Sequence, residues 1–136
     1  MASYWVKTPH WLKRFFPGKM VWDVPATPEP TVYITFDDGP HPAITPFVLD
    51  ELKKYDASAT FFCVGNNVVL YPDTYKATLA AGHVTANHTH NHMNGWKTRN
   101  TTYLGNIDKA AQHISSRLFR PPYGRIKYSQ ARKLSR

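Results

Sequence analysis

Thr31-Val32-Tyr33-Ile34-Thr35-Phe36-Asp37-Asp38-Gly39-Pro40 is the stretch on which the architecture turns. Its first six residues are β-branched or aromatic, types that pack well on a pleated surface, so a strand is expected over Thr31–Phe36. The strand runs straight into two adjacent carboxylates and is broken by Gly39 and Pro40. Neighbouring side chains at a strand end point apart, so Asp37 and Asp38 can take separate roles, one on a metal and one on a water. A glycosidase needs its two carboxylates to flank a bond at a separation of ~5–9.5 Å, and adjacent residues are badly placed for that.

Working outward, the pattern alternates. Thr45 is positioned to cap a helix with Pro46 in its first turn, and Val48, Leu52 and Tyr55 follow on one face. Ala59–Val64 reads as a second strand. A helix from about Pro72 aligns Tyr75 with Leu79 and stops at Gly82. Val84–Ala86 is a short third strand. Thr101 or Thr102 opens a further helix with Leu104, Ile107, Ala111 and Ile114 as its apolar stripe. Leu118-Phe119 is a brief fourth strand, and a last helix begins near Ser129 without finishing. Strand and helix in alternation predict an α/β protein with mainly parallel strands, which carries its chemistry where strands end and loops begin. Ahead of this domain (31–136), residues 1–30 form an aromatic and basic lead-in, closed by the stiff connector Pro25, Pro28 and Pro30.

Composition excludes several classes. With 136 residues, 42% hydrophobic and 19% charged, the chain is one globular domain and not a disordered one. No apolar run approaches the ~20 residues that span a bilayer, and the N-terminus lacks a secretory signal. Cys63 is the single cysteine, so no intrachain disulfide can form, and its apolar neighbours predict a packed, inert thiol. The net charge of +8 is concentrated at the ends. The first 20 residues hold four cations and no acid, the last 20 hold seven and no acid, and the middle is left net negative. Such ends can draw nucleic acid or another acidic polymer, but no zinc finger or comparable motif supports nucleic-acid binding, and solvated ends explain them.

Asn87-His88-Thr89-His90-Asn91-His92 follows the third strand. His88 and His92 are spaced i, i+4 and would share a face on a helical turn, as two metal ligands require. In an extended segment His88, His90 and His92 would all share a face, so spacing alone leaves the pair open. Two imidazoles and a carboxylate keep coordination positions free for water and substrate, the pattern of a catalytic site. Zinc fits, and the mixed nitrogen and oxygen set also admits iron, cobalt or nickel. Arg120-Pro121-Pro122-Tyr123-Gly124 is a stiff turn, able to aim a backbone N–H at a developing oxyanion while Arg120 pairs with a carboxylate.

Taken in order, TFDDGP, HTHNH and RPPYG resemble the polysaccharide deacetylase family, with its NodB homology domain (carbohydrate esterase family 4), over about residues 31–128. ATFFCVG and AAGHVTANHT resemble the family's second strand and its lead into the histidines. The resemblance implies a distorted (β/α) barrel of fewer than eight strands around one divalent metal, usually zinc. It implies Asp37 as general base and Asp38, His88 and His92 as metal ligands. Thr89 would shape the site and His90 would be a bystander. Arg120 would orient Asp37, and the Tyr123 amide would help hold the oxyanion. The reaction implied is hydrolysis of acetyl groups, N-acetyl above all, from an acetylated glycan such as chitin oligomers or peptidoglycan, mostly in the envelope or outside the cell.

The family's two later motifs, an Asp-Trp pair and a Leu-x-His that supplies a general acid, do not occur before Arg136. The chain is therefore expected to be an incomplete barrel that binds metal but turns over poorly alone. A bare sheet edge and apolar faces would invite self-association. The alternative is a non-catalytic metal- or glycan-binding member of the same family.

Overall fold

Three of the four expected strands form, and they lie parallel in the order in which they are written. A computed structural model describes residues 8–25 and 27–135. Tyr4 and Trp5 of the lead-in lie outside the described residues. The rest of the lead-in has one short helix, α1 (His10–Lys13), and packs Phe16 edge-on against Trp22, with ring centres 5.2 Å apart.

Strand β1 covers Ile34–Asp37, shorter at its front than the residue types suggest. The register explains this, because Ile34 already pairs with Ala59, the first residue of β2 (Ala59–Cys63), and Thr31–Tyr33 have no partner. Helix α2 (Ile44–Lys54) starts after Ala43 and not after Thr45. His41 does the capping: its Nδ1 accepts the amide protons of Ala43 and Ile44 at 3.2 and 3.3 Å. Thr45 is buried and its hydroxyl accepts the His41 N–H. Leu52 enters the core as expected, but Tyr55 is the C-cap and stands in solvent, because the chain leaves the helix there.

After β2 comes a helix that the sequence reading missed, α3 (Gly65–Leu70), followed by α4 (Pro72–Ala80) and β3 (Val84–Asn87). Helix α3 is only six residues long and lies within the run Val64–Leu70, too short to show a 3.6-residue period. Gly65 is required at its start. A Cβ there would come within 2.7 Å of His90 Nδ1 and 3.0 Å of Ala110. Helix α5 (Asn100–Ala111) buries Tyr103, Asn106, Ile107 and Ala110, a stripe rotated from the expected one, which leaves Ala111 exposed. Helix α6 (Tyr128–Leu134) closes the described chain.

The sheet order is β1-β2-β3. The fourth strand reduces to one parallel bridge, Asn87 with Phe119, fastened by Asn87 N–H to Leu118 O and Arg120 N–H to Asn87 O, each 3.0 Å. The result is an arc of a parallel barrel with its helices on the outside. Its core gathers Leu52, Phe61, Cys63, Val68, Ala110 and Ile114, and Phe36 stacks on Phe61 at 5.1 Å.

Central β2 is buried nearly throughout, and burial pushes the Cys63 thiol up to about 12. A thiol held protonated and covered is a poor nucleophile. Cys63 is expected to resist a disulfide reagent at pH 8 in the folded protein and to react at once in denaturant. Fast native labelling would contradict this packing.

Candidate metal centre and its surroundings

The sheet delivers its chemistry at the C-terminal ends of the two outer strands. Asp37 ends β1 and Asp38 follows it at φ +69°, a left-handed conformation that turns the second carboxylate away from the first. The Asp38 backbone is held on both sides: its N–H donates to Phe62 O at 3.1 Å, and its carbonyl accepts from Asn67 Nδ2 at 2.8 Å.

On the far side of β2, the segment directly after β3 (residues 88–94) makes no helix. Thr89 (φ +63°) and His92 (φ +51°) are both left-handed. This strained turn is pinned by buried amides. Asn87 Oδ1 accepts the Thr89 N–H, and Asn106 Oδ1, from α5, accepts the N–H groups of His90 and Asn91, all at 2.8–2.9 Å. The buried Thr89 hydroxyl accepts from Met93 N–H. Four of the five non-glycine left-handed residues among those described (Asp38, Thr89, His92 and Tyr123) lie in this region. Such conformations cost about 1–3 kcal/mol each and persist where surrounding contacts dictate them.

The turn brings His88 and His92 together with Asp38. His92 Nε2 lies 3.0 Å and His88 Nε2 3.4 Å from Asp38 Oδ1, and the ligand atoms of all three fall within 4.8 Å of one another. His88 is buried, and its Nδ1 is 2.7 Å from the Arg120 carbonyl. A carbonyl only accepts, so Nδ1 carries the proton and Nε2 presents its lone pair to the trio. Two imidazole nitrogens and one carboxylate oxygen at this spacing fit a single divalent ion with open positions.

His90, the third histidine, points elsewhere. It is buried against Gly65, with its ring 6.0 Å from that of His113. The extended arrangement, in which all three histidines would share a face, does not form.

Burial, working against the carbonyl contact and the nearby carboxylates, holds the His88 imidazole below its ordinary value. The unfolded chain therefore takes up this proton first as pH falls. In chelator, His88's contribution to stability should be full above about pH 6.5 and decline below it. Thermal melts of the protein and of His88→Gln across pH 5–8 check the sign, since the variant's melting temperature should fall less.

Beside the trio, Arg120 Nη1 donates to Asp37 Oδ1 at 2.6 Å and to Thr35 Oγ1 at 3.0 Å, while its guanidinium lies 3.9 Å over the Phe62 ring. Arg120 thus serves twice, through its side chain on Asp37 and its backbone carbonyl on His88. Tyr123 (φ +60°) sits in a 3₁₀ turn over Pro122–Gly124, its ring edge-on to His92 at 4.7 Å. Among the described residues no acceptor takes its backbone N–H. A cavity of about 300 Å³ opens on the other flank, lined by Asp38, Val64, Asn66, Asn67, Asn91 and His92.

The sequence profile of the family described as polysaccharide deacetylase matches residues 25–135. The chain belongs to the polysaccharide deacetylase family.

Among its relatives is a peptidoglycan-N-acetylglucosamine deacetylase of Bacillus cereus, 38% identical over 105 residues, 73% of this chain and 38% of that protein. A chitooligosaccharide deacetylase of Azorhizobium caulinodans is 39% identical over 101 residues, 69% of this chain and 48% of that protein. A family 4 carbohydrate esterase from Streptomyces lividans superposes with a TM-score of 0.71 at 29% identity, over 76% of this chain and 56% of that one. The polysaccharide deacetylase chain described here therefore spans about half the length of these relatives, or less. Its arc of parallel strands agrees with the incomplete (β/α) barrel that the motifs imply.

Sequence reasoning missed Asn106, Thr35 and Phe62. Asn106 carries a usable signal, a polar residue one position from Ile107 on the buried face of α5, but the expected stripe of Leu104, Ile107, Ala111 and Ile114 passes it by. Thr35 and Phe62 looked like ordinary strand residues, and only the fold reveals that Arg120 lies across both.

Proposed function

We propose that this protein hydrolyses N-acetyl groups from an acetylated glycan, using one divalent ion, most simply zinc, held by Asp38, His88 and His92. The observation that carries this reading is the convergence of three ligand atoms within 4.8 Å, with the His88 tautomer set by the Arg120 carbonyl. Two relatives named for N-acetylated glucosamine polymers, peptidoglycan and chitooligosaccharides, support the substrate class.

When bound, the ion supplies Lewis acidity, polarising the acetyl carbonyl and easing removal of a proton from water. The chain's own residues do the rest. Asp37 takes the proton of the attacking water on Oδ2, because Oδ1 is engaged by Arg120. Arg120, fixed by Thr35 and the Phe62 ring, keeps that carboxylate oriented. The Tyr123 N–H, with no acceptor of its own, donates to the developing oxyanion. Asp37 returns that proton to the leaving nitrogen, so that the C–N bond breaks and collapse releases acetate and an amine.

The test is acetate release from N-acetylated chitooligomers and soluble peptidoglycan strands by zinc-loaded protein, with Asp38→Ala as control. Acetate above the control supports hydrolysis. Stoichiometric zinc without acetate from either substrate would overturn it in favour of a binding role.

A further inference from the structure

The lead-in ahead of the sheet carries apolar surface that the metal centre does not account for. Trp11, Phe15, Val21 and Val24 are 58%, 67%, 78% and 51% exposed. A single exposed apolar side chain is ordinary, but four so close along the chain call for a partner. Trp11, on α1, meets Phe15 edge-to-face with ring centres 6.4 Å apart. Phe16 and Trp22 are half-buried against each other.

The backbone beneath these side chains is folded. Lys13 N–H donates to Pro9 O, Phe16 N–H to Lys13 O and Met20 N–H to Pro17 O, at 3.1–3.3 Å. Each such internal bond lowers the cost of moving a peptide group into a less polar medium.

Charge here is of one sign. Lys7, Lys13, Arg14 and Lys19 precede every acid in the chain. Asp23, the first acid, is paired with Lys13. Arg14 is exposed and forms no ion pair among the described residues. Solvation explains a basic end, but it does not explain bare rings set among the cations. Nucleic acid would match the cations and could stack on the rings, yet it has no use for Val21 and Val24. Anionic lipid answers both features, because aromatic and aliphatic groups settle at the headgroup boundary while cations stay at the phosphates.

We infer that residues 10–24 form a peripheral anchor for an anionic membrane surface. Trp11, Phe15, Val21 and Val24 enter the boundary between headgroups and acyl chains, and Arg14 and Lys19 remain among the phosphates. Pro25, Pro28 and Pro30 follow as the stiff connector between this anchor and β1. The inference depends on neither the metal nor hydrolysis, so it stands or falls apart from the function proposed above.

Co-sedimentation of the whole chain with lipid vesicles tests it. The probes are phosphatidylcholine vesicles and vesicles of phosphatidylcholine and phosphatidylglycerol in equal parts, in physiological salt. The mixed vesicles should hold the protein at least about tenfold more tightly, since each cation at such a surface contributes about fivefold. Replacing Arg14 and Lys19 together by glutamine should remove that preference. Replacing Trp11 and Phe15 together by serine should weaken binding to the mixed vesicles by about tenfold or more. Trp11→Phe keeps a ring and should bind at least half as well, which separates loss of the anchor from loss of the fold. Retention by neither vesicle, or equal retention by both, would overturn the inference. So would tighter binding to a single-stranded oligonucleotide than to the mixed vesicles. A dimer in sedimentation velocity that the serine variant dissolves would also overturn it, assigning the rings to a second copy of the chain.

Discussion

Zinc should bind this protein one to one, and replacing Asp38 or His92 by alanine should weaken that binding by more than about a hundredfold. Each supplies one of three ligand atoms, whereas second-layer partners in metal sites cost about 10- to 100-fold when removed. Ligands must be deprotonated to bind, and the His88 contact with Arg120 O leaves one ring nitrogen ready at neutral pH. At a free zinc concentration of 100 times Kd the ion would stabilise the fold by about 2.7 kcal/mol, a rise of about 5–10 °C in Tm for a chain of this length. Elemental analysis and melts with and without chelator read both quantities. Undiminished zinc in both variants would remove the site.

The second large effect is on turnover. Asp37→Asn is expected to lower acetate release by about 10²- to 10⁴-fold, the usual contribution of a positioned general base. Zinc content should stay unchanged, because Asp37 is not in the ligand trio. Asparagine keeps the side chain's shape and can still accept from Arg120, so the loss isolates the missing proton acceptor. Arg120→Ala should also lower turnover while retaining the metal, since the carbonyl that holds His88 belongs to the backbone and survives the substitution. Loss of zinc in Arg120→Ala would show that the side chain is needed to keep that carbonyl in place.

How far the sequence reached depends on which residues are asked about. The three strand-to-loop junctions were legible because each joins a β-branched or apolar run to a burst of unlike chemistry: Asp37-Asp38, His88 to His92, and Arg120-Pro121-Pro122. What the sequence left open at the histidines was settled by tertiary contacts. Neither a helical nor an extended turn forms, since Asn87 Oδ1 accepts the N–H of a left-handed Thr89, Asn106 Oδ1 accepts those of His90 and Asn91, and His90 is turned into the core. Helix α3 was illegible for want of length. The α5 stripe is legible in part: Ile107 and Ile114 are buried as expected, but Ala111 is exposed and Leu104 only half-buried, while Asn106 and Tyr103, polar or amphipathic on paper, fill the buried face. At α2, Thr45 was the obvious cap by residue type, and the ring nitrogen of His41 took its place.

The ligand trio joins strands that are not neighbours. Asp38 follows β1 and the histidines follow β3, with β2 between them giving no ligand. Strands lie about 4.8 Å apart, so a cation held there would tie the two rims of the arc together over a gap of roughly 10 Å that no backbone hydrogen bond crosses. Chelation should then be felt first as faster amide exchange along the outer edge at Ile34–Asp37, while the central Ala59–Cys63 keeps its protection. The ion would act as a tie rod for the rim as well as a chemical centre.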